Sequence, residues 1–340
     1  MLQRMLGRTG IEVSEVALGG LYTSSFGPGL EQTRRAVRRA VELGINYIDT
    51  APGYANSEEV LGIALDGIDV PLVISTKLGG RPQPFDPQNN KQLSQSIEES
   101  LRLLGRDVID VLFIHEPDRP LQYSWWSDPA EVYGPVVDVL DDFKRRGLVR
   151  FTGLGGTTMT EMTHLIRSDR FDVVLTAFNY SALFREAQQE VLPAAIEHGM
   201  GIVLGSVLQQ GALGRRYDDV VRSKPTWLSQ ARQQQLLAFY ELLDDLGMPI
   251  VELCLRFALS NTTISTVLIG AKTAEHVEQA VAVAEKGALS DDVVERLDAI
   301  ASMVPFRPFE EPMILPLNEP HSYYGPGIAN LGVGAPVGKL

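Results

Sequence analysis

Cysteine is almost absent from this 340-residue chain, and several structural classes go with it. The lone Cys254 rules out an internal disulfide and any cysteine-built metal cluster. Its setting, VELCLRFAL, reads as a small buried hydrophobe. No uninterrupted apolar run approaches the roughly 18 residues of a transmembrane helix. The opening MLQRMLGRTGIEVSEV lacks the charged-then-apolar layout of a secretory signal, so a cytoplasmic location is expected. Positive charge is also scarce: 30 Lys and Arg face 43 Asp and Glu, a formal net charge of −13. Nucleic acid is therefore not an expected partner, since phosphate contacts need clustered cations. An anionic cofactor would depend on local cations or helix N-termini. The glycine-rich GxGxxG turn of a dinucleotide-binding sheet is missing too, because VALGGLYTSSFG after the first long strand does not fit it.

What is present is regular alternation. Short β-branched runs at 16–20, 45–50, 70–77, 108–115, 148–156, 171–180, 200–207 and 263–270 alternate with amphipathic stretches at 30–44, 57–65, 89–105, 128–147, 160–168, 186–199, 226–246, 249–259 and 274–287. Ser57 is placed to cap the second of these helices. Eight strand–helix units without a composition shift predict one (β/α)8 barrel domain over 1–340, with a doubly wound sheet as the alternative. Residues 2–14, turning at GRTG, predict a hairpin able to plug the barrel floor. Residues 16–303 form the barrel and a terminal helix, and 304–340, rich in Gly and Pro at their end, an extended tail.

Four side chains at the ends of three strands make chemical sense together: Asp49 and Tyr54 in YIDTAPGYANSEEVLG, Lys77 in LVISTKLGG, and His115 in VIDVLFIHEPD. A phenol beside an ammonium is pushed toward the phenolate, and a buried carboxylate keeps that ammonium charged and aimed. An imidazole can orient a substrate oxygen beside the phenol. Such a set protonates a carbonyl oxygen or deprotonates an alcohol while another species moves a hydride. Taken singly, each has a structural alternative: a loop tyrosine, a strand-end lysine, a turn aspartate. Their coincidence at successive strand ends favours chemistry.

The stretches LGRTGIEVSEVALGG, GINYIDTAPGYANSEEVLG, STK, LFIHEPD and GAKTAEHVEQA, in that order and spacing, resemble the aldo/keto reductase superfamily over about residues 4–300. The resemblance implies a (β/α)8 barrel that uses a nicotinamide dinucleotide without a Rossmann domain. It implies Tyr54, Asp49, Lys77 and His115 as the catalytic tetrad. It also implies that IVLGSVLQQGALG is a pyrophosphate loop, with Ser206, Leu208 and Gly211 along the cofactor, and that Gly270, Lys272, Thr273 and His276 bind its adenosine end. NADP is the expected cofactor on the strength of Lys272, with NAD the alternative. Lys272 equally reads as a surface lysine at a helix start.

The chain departs from the family where the carboxamide is held. Much of the family has a Ser-Asn pair where Gly155 and Gly156 stand, and a Gln where Leu175 stands. Asn179 is four residues along the strand from Leu175, roughly 13 Å away, and cannot take over directly. Thr157 or the freed backbone N–H groups are the candidates. Gly205 replaces an aromatic that many members stack on the ring. These features resemble a branch of sugar 1-dehydrogenases and pyridoxal dehydrogenases.

The substrate wall is expected from EPDRPLQYSWWSDP, whose Tyr123, Trp125 and Trp126 offer aromatic faces, and from Tyr22 and Phe26. The expected substrate is a small carbonyl compound or sugar, interconverted with its alcohol or lactone with Tyr54 as general acid/base. Two other classes remain: a non-catalytic nicotinamide-binding redox sensor or regulatory subunit on the same barrel, and a metal-assisted barrel hydrolase or lyase, for which HEPD supplies few ligands.

Overall fold

The computed structural model describes residues 1–307, 315 and 317. Two short antiparallel strands, β1 (Gln3–Met5) and β2 (Glu12–Ser14), form the opening hairpin. Eight parallel strands then close on themselves: β3 (Val16–Gly19), β4 (Tyr47–Asp49), β5 (Val73–Leu78), β6 (Ile109–His115), β7 (Val149–Gly156), β8 (Val173–Ala177), β9 (Gly201–Gly205) and β10 (Thr266–Ile269). The first six crossovers are α1 (Leu30–Glu42), α2 (Ser57–Leu65), α3 (Asn90–Leu104), α4 (Pro135–Arg145), α5 (Thr160–Arg167) and α6 (Val191–Glu197). Three helices, α7 (Asp218–Arg222), α8 (Gln230–Leu246) and α9 (Ile250–Ser260), lie between β9 and β10. After β10 come α10 (Ala274–Ala284) and α11 (Asp291–Ser302). The expected (β/α)8 barrel is the fold.

The two-residue period of each strand divides the core. Ala17, Tyr47, Val73, Val111, Phe113, Val173, Leu175 and Val203 fill the barrel interior, joined from below by Leu6 and Val13 of the hairpin. Alternate residues pack outward under the helices in the larger core. Leu6 and Val13 are fully buried, so the hairpin does plug the floor. Arg4 fastens it by donating to the carbonyls of Leu259, Asn261 and Ile264, and Arg8 by donating to that of Phe171.

Some boundaries and one cap differ from the sequence reading. The stretch 128–134 is a loop closed by a bridge between Asp128 and Tyr133, and α4 begins at Pro135. Pro fits the first helical position because its missing N–H would be unpaired there anyway. Ser57 does not cap α2; it is the helix's first residue. Its buried hydroxyl meets the Thr50 and Thr23 hydroxyls at 2.7 and 2.9 Å and donates to the Gly20 carbonyl at 2.7 Å. That cluster ties the ends of β3 and β4 together beside the mouth. Of the expected tail, Leu315 and Leu317 are buried in the outer core, and most of 308–340 lies outside the described residues.

Candidate active site

The top inward-facing positions of the strands divide the barrel rim into two unlike halves. On one side stand Asp49 of β4, Lys77 of β5 and His115 of β6. On the other stand Gly155 of β7, Ala177 of β8 and Gly205 of β9. A Cβ added to Gly155 would approach Lys77 Cε at 4.0 Å, and one on Gly205 would approach Leu175 Cδ2 at 3.5 Å, so both positions face the lumen. The chemistry-bearing half therefore borders a low apolar half floored by Leu175.

The four predicted residues come together. Lys77 Nζ donates to Asp49 Oδ2 at 2.6 Å and to the Thr50 carbonyl at 2.8 Å. Ser75, two residues earlier on β5 and facing the same lumen, donates to Asp49 Oδ1 at 2.7 Å and so fixes the carboxylate from its other side. Tyr54, in the loop after β4, places its ring 4.8 Å from Lys77 Nζ and 6.0 Å, edge to face, from the His115 ring.

Burial sets the charge states. Lys77 loses solvation, which lowers its pKa, but Asp49 and Tyr54 more than offset that and hold it above the ordinary lysine range. His115 is pushed down to about 3, by burial and then by Lys77, so its imidazole is neutral. The sequence reading has Lys77 pulling Tyr54 toward the phenolate. In the fold, burial is the larger effect, and the phenol sits above its ordinary value despite Lys77. At rest Tyr54 is a proton donor.

The loop after His115 carries charge that sequence reasoning passed over. Glu116 adopts φ 50° immediately after the strand, and its N–H donates to the Gly155 carbonyl at 2.7 Å. Asp118 Oδ2 accepts from the N–H groups of Thr157 and Thr158 at 2.9 and 2.6 Å. Gly156 permits this approach, since a Cβ there would fall 2.7 Å from Asp118 Oδ1 and 2.3 Å from Met162 Sδ. Arg119 donates through Nε and Nη2 to Thr157 Oγ1, and Asn179 donates to the Thr157 carbonyl at 2.6 Å. Thr157 is thus held from three sides, with its hydroxyl proton left to donate. The motif HEPD was the available signal; the strained turn that aims it was not legible.

The predicted substrate wall is rearranged. Trp125 is fully buried, donates to the His115 carbonyl and packs against Gly79, so it braces His115 from behind instead of lining a pocket. Trp126 donates to the Pro117 carbonyl and meets the Phe171 ring at 6.4 Å, which pins the loop outward. Hydrophobic burial outcompetes ring exposure for Trp125, while Trp126 stays half-buried. Tyr123 keeps a place near the mouth, its hydroxyl 3.4 Å from where a Cβ on Gly80 would stand. Tyr22 lies against the loop after β10, with Lys272 Nζ 4.5 Å from its ring centroid and Gly270 against its face. Phe26 is exposed in the β3–α1 loop. A surface cleft of about 280 Å³ bounded by Ser24, Asn56 and Ile63 lies in that region and contains none of the four.

Apart from Thr157, which follows β7, the predicted cofactor residues fall in two adjacent segments, after β9 and β10. In the first, Ser206, Gln209, Gln210 and Gly211 have φ of 57°, 50°, 52° and 99°, and Leu208 lies between them. The loop closes on itself: the N–H groups of Gln209 and Gly211 donate to the Ser206 and Leu208 carbonyls at 2.8 and 2.9 Å. In the second, Thr273 caps α10 by accepting from the His276 N–H. Lys272 is exposed, and its N–H donates to His276 Nδ1 at 3.3 Å. That bond leaves Nε2 to carry the ring's outward N–H in the neutral form. Loops after the seventh and eighth barrel strands are where such barrels commonly hold phosphate. The Lys272 cation and the low apolar half of the rim fit an anionic dinucleotide with a flat ring. Among the described residues, no three His, Cys, Asp or Glu side chains gather as a metal ligand set, and no helix is long and apolar enough to cross a membrane.

Comparison with known proteins agrees with this geometry. A family model described as the aldo/keto reductase family matches residues 20–302. An L-galactose dehydrogenase of Arabidopsis thaliana is 29% identical, the match covering 88% of this chain and 94% of that protein. A putative voltage-gated potassium channel subunit beta of Schizosaccharomyces pombe is 26% identical, covering 89% and 94%. In fold, an aldo-keto reductase from Bacillus halodurans in its holo form superposes with a TM-score of 0.71 at 24% identity, over 92% of this chain and all of that one.

Proposed function

The chain belongs to the aldo/keto reductase family of nicotinamide-dependent oxidoreductases, and from that premise we propose that it interconverts a small aldehyde, aldose or ketone with its alcohol or lactone. The observation that carries the reading is the convergence of Tyr54, Lys77, Asp49 and His115 beside the low rim half of Gly155, Ala177 and Gly205. The L-galactose dehydrogenase relative supports a sugar as substrate.

In the reductive direction, the Tyr54 O–H donates its proton to the substrate carbonyl oxygen. The Lys77 ammonium stabilises the phenolate left behind, and Asp49 keeps that ammonium charged and aimed. Neutral His115 donates an N–H to the same oxygen and orients it. In the oxidative direction Tyr54 takes the proton back, and a lactol yields a lactone. A nicotinamide dinucleotide, when held by the loops after β9 and β10, would supply or accept the hydride.

Ser206, Leu208 and Gly211 would hold the pyrophosphate. Gly270, Lys272, Thr273 and His276 would hold the adenosine end, with Thr157 near the carboxamide. We read Lys272 as favouring NADP, with NAD the alternative. Tyr123 is the aromatic we place nearest the substrate, and we treat 1–340 as one catalytic domain acting in the cytoplasm.

The test is the absorbance of reduced nicotinamide, with NAD⁺ or NADP⁺ against free aldoses and with the reduced forms against simple aldehydes. Turnover in either direction is the expected result. The channel-subunit relative supports a second reading, a nicotinamide-binding redox sensor or regulatory subunit. Cofactor that binds and is never turned over by any carbonyl or alcohol would favour it.

A further inference from the structure

Glu116 follows His115 directly and turns the chain out of the barrel with φ 50°, a conformation that side chains other than glycine and asparagine rarely adopt. Its backbone is fixed there by the N–H bond to the Gly155 carbonyl at 2.7 Å. The residue is 8% exposed, yet among the described residues its Oε2 has no hydrogen-bond partner. Arg119 Nε stands 3.8 Å from Oε2, beyond hydrogen-bond reach, because that nitrogen donates to Thr157 Oγ1 at 2.8 Å. Burial raises the carboxyl's pKa, and Arg119 and Gln122 both work against that larger effect to lower it. The place of Glu116 at the rim is set by the chain: it directly follows His115, and its N–H is bonded to Gly155 of the facing half.

A buried acceptor without a donor is costly, and native proteins seldom keep one without a use. We propose that Glu116 is a specificity-determining residue that accepts, on Oε2, a hydrogen bond from a substrate hydroxyl on the carbon next to the reacting carbonyl. The proposal rests on the oxidoreductase reading above and extends it to the substrate's substitution pattern. A neutral O–H fits better than an ammonium group, because Arg119 already supplies a cation at 3.8 Å. The hydroxyl position follows from adjacency: Glu116 is one residue from His115, which is assigned to the carbonyl oxygen. Sites built to bond a hydroxyl discriminate strongly against analogues that lack it, since the buried acceptor is then left unpaired.

The test compares two aldehydes of nearly equal shape, lactaldehyde and isobutyraldehyde, in which a hydroxyl on the adjacent carbon is exchanged for a methyl. Reduction is followed at saturating reduced nucleotide and pH about 8.5, in wild type, Glu116→Gln and Glu116→Leu. Wild type is expected to favour lactaldehyde in kcat/KM by about 10- to 100-fold, the usual worth of a charge-assisted hydrogen bond. Glu116→Leu is expected to bring that ratio within about threefold of unity by losing lactaldehyde activity alone, with Glu116→Gln intermediate. Unchanged cofactor affinity in both variants verifies that the site has folded. A ratio that survives Glu116→Leu, or an equal fall on both aldehydes, overturns the proposal while leaving the oxidoreductase reading intact. A wild type that turns over neither of these nor any aldose overturns both.

Discussion

The Lys77 ammonium and the Asp49 carboxylate lie 2.6 Å apart with each side chain 2% exposed, a buried ion pair directly beneath the Tyr54 ring. Two charges are taken out of water there, and the remaining lone pairs and protons are met by Ser75 and the Thr50 carbonyl. Such a pair is seldom a net source of stability, whereas breaking it leaves one charge buried and uncompensated. Asp49→Leu alone is expected to lower unfolding free energy by about 3–5 kcal/mol. Pairing it with Lys77→Met should recover much of that loss. Urea denaturation of the two single variants and the double variant measures the coupling, and simple additivity would show that the pair is not acting as a unit.

Removing one oxygen from Tyr54 tests the proton path. Tyr54→Phe keeps the ring over Lys77 and against His115, so cofactor affinity should stay within about twofold while turnover falls by about 10²–10⁴, the span of general acid catalysis. Titration by nucleotide fluorescence and steady-state rates on one preparation separate the two effects. Turnover equal to wild type would remove Tyr54 from the mechanism.

Two neighbours should make stability respond to pH in opposite senses. His115 is buried and neutral, with its pKa pushed down to about 3 from 6.5. Between those values the unfolded chain takes up a proton that the folded one refuses, so this group removes stability as pH falls. Glu116 is the reverse: burial, opposed by Arg119 and Gln122 and aided by Asp118, raises it to about 7 from 4.5. Between those values the folded chain keeps a proton that the unfolded one releases, so this group removes stability as pH rises. In Glu116→Gln the fall in stability from pH 4.5 to 7 should shrink. In His115→Gln the fall on acidification from 6.5 should shrink. Urea midpoints across pH 4–8 measure both, and unchanged slopes would show that neither group titrates in this way.

Lys272 is exposed over the Tyr22 ring at the opening of α10, where a 2′-phosphate would meet it. Lys272→Met is expected to weaken NADP⁺ by about tenfold, the value of one charge-assisted contact, and to leave NAD⁺ nearly unchanged. Dissociation constants from protein-fluorescence quenching report this without turnover. Equal effects on both nucleotides would assign Lys272 to the loop's structure instead of the phosphate.

The periodic part of the molecule was legible in the chain because its physics is local. Alternating β-branched runs and amphipathic stretches specify eight strand–helix units, and closing those units brings Asp49, Lys77 and His115 to one rim whatever the loops do. The plugging hairpin was legible for the same reason. Only the tertiary structure decided the rest, because it depends on competition between burial and contact over long separations. Ser57 became a buried cross-link and not a cap, since Thr50 and Gly20 from two other loops reached its hydroxyl. Trp125 turned inward behind His115 because the core could bury its ring and bond its N–H together. Tyr54 rests protonated because desolvation outweighs the lysine beside it. A strand period names which residues reach the mouth, but solvent exclusion, which belongs to the whole fold, sets their charge and which of them a substrate can touch.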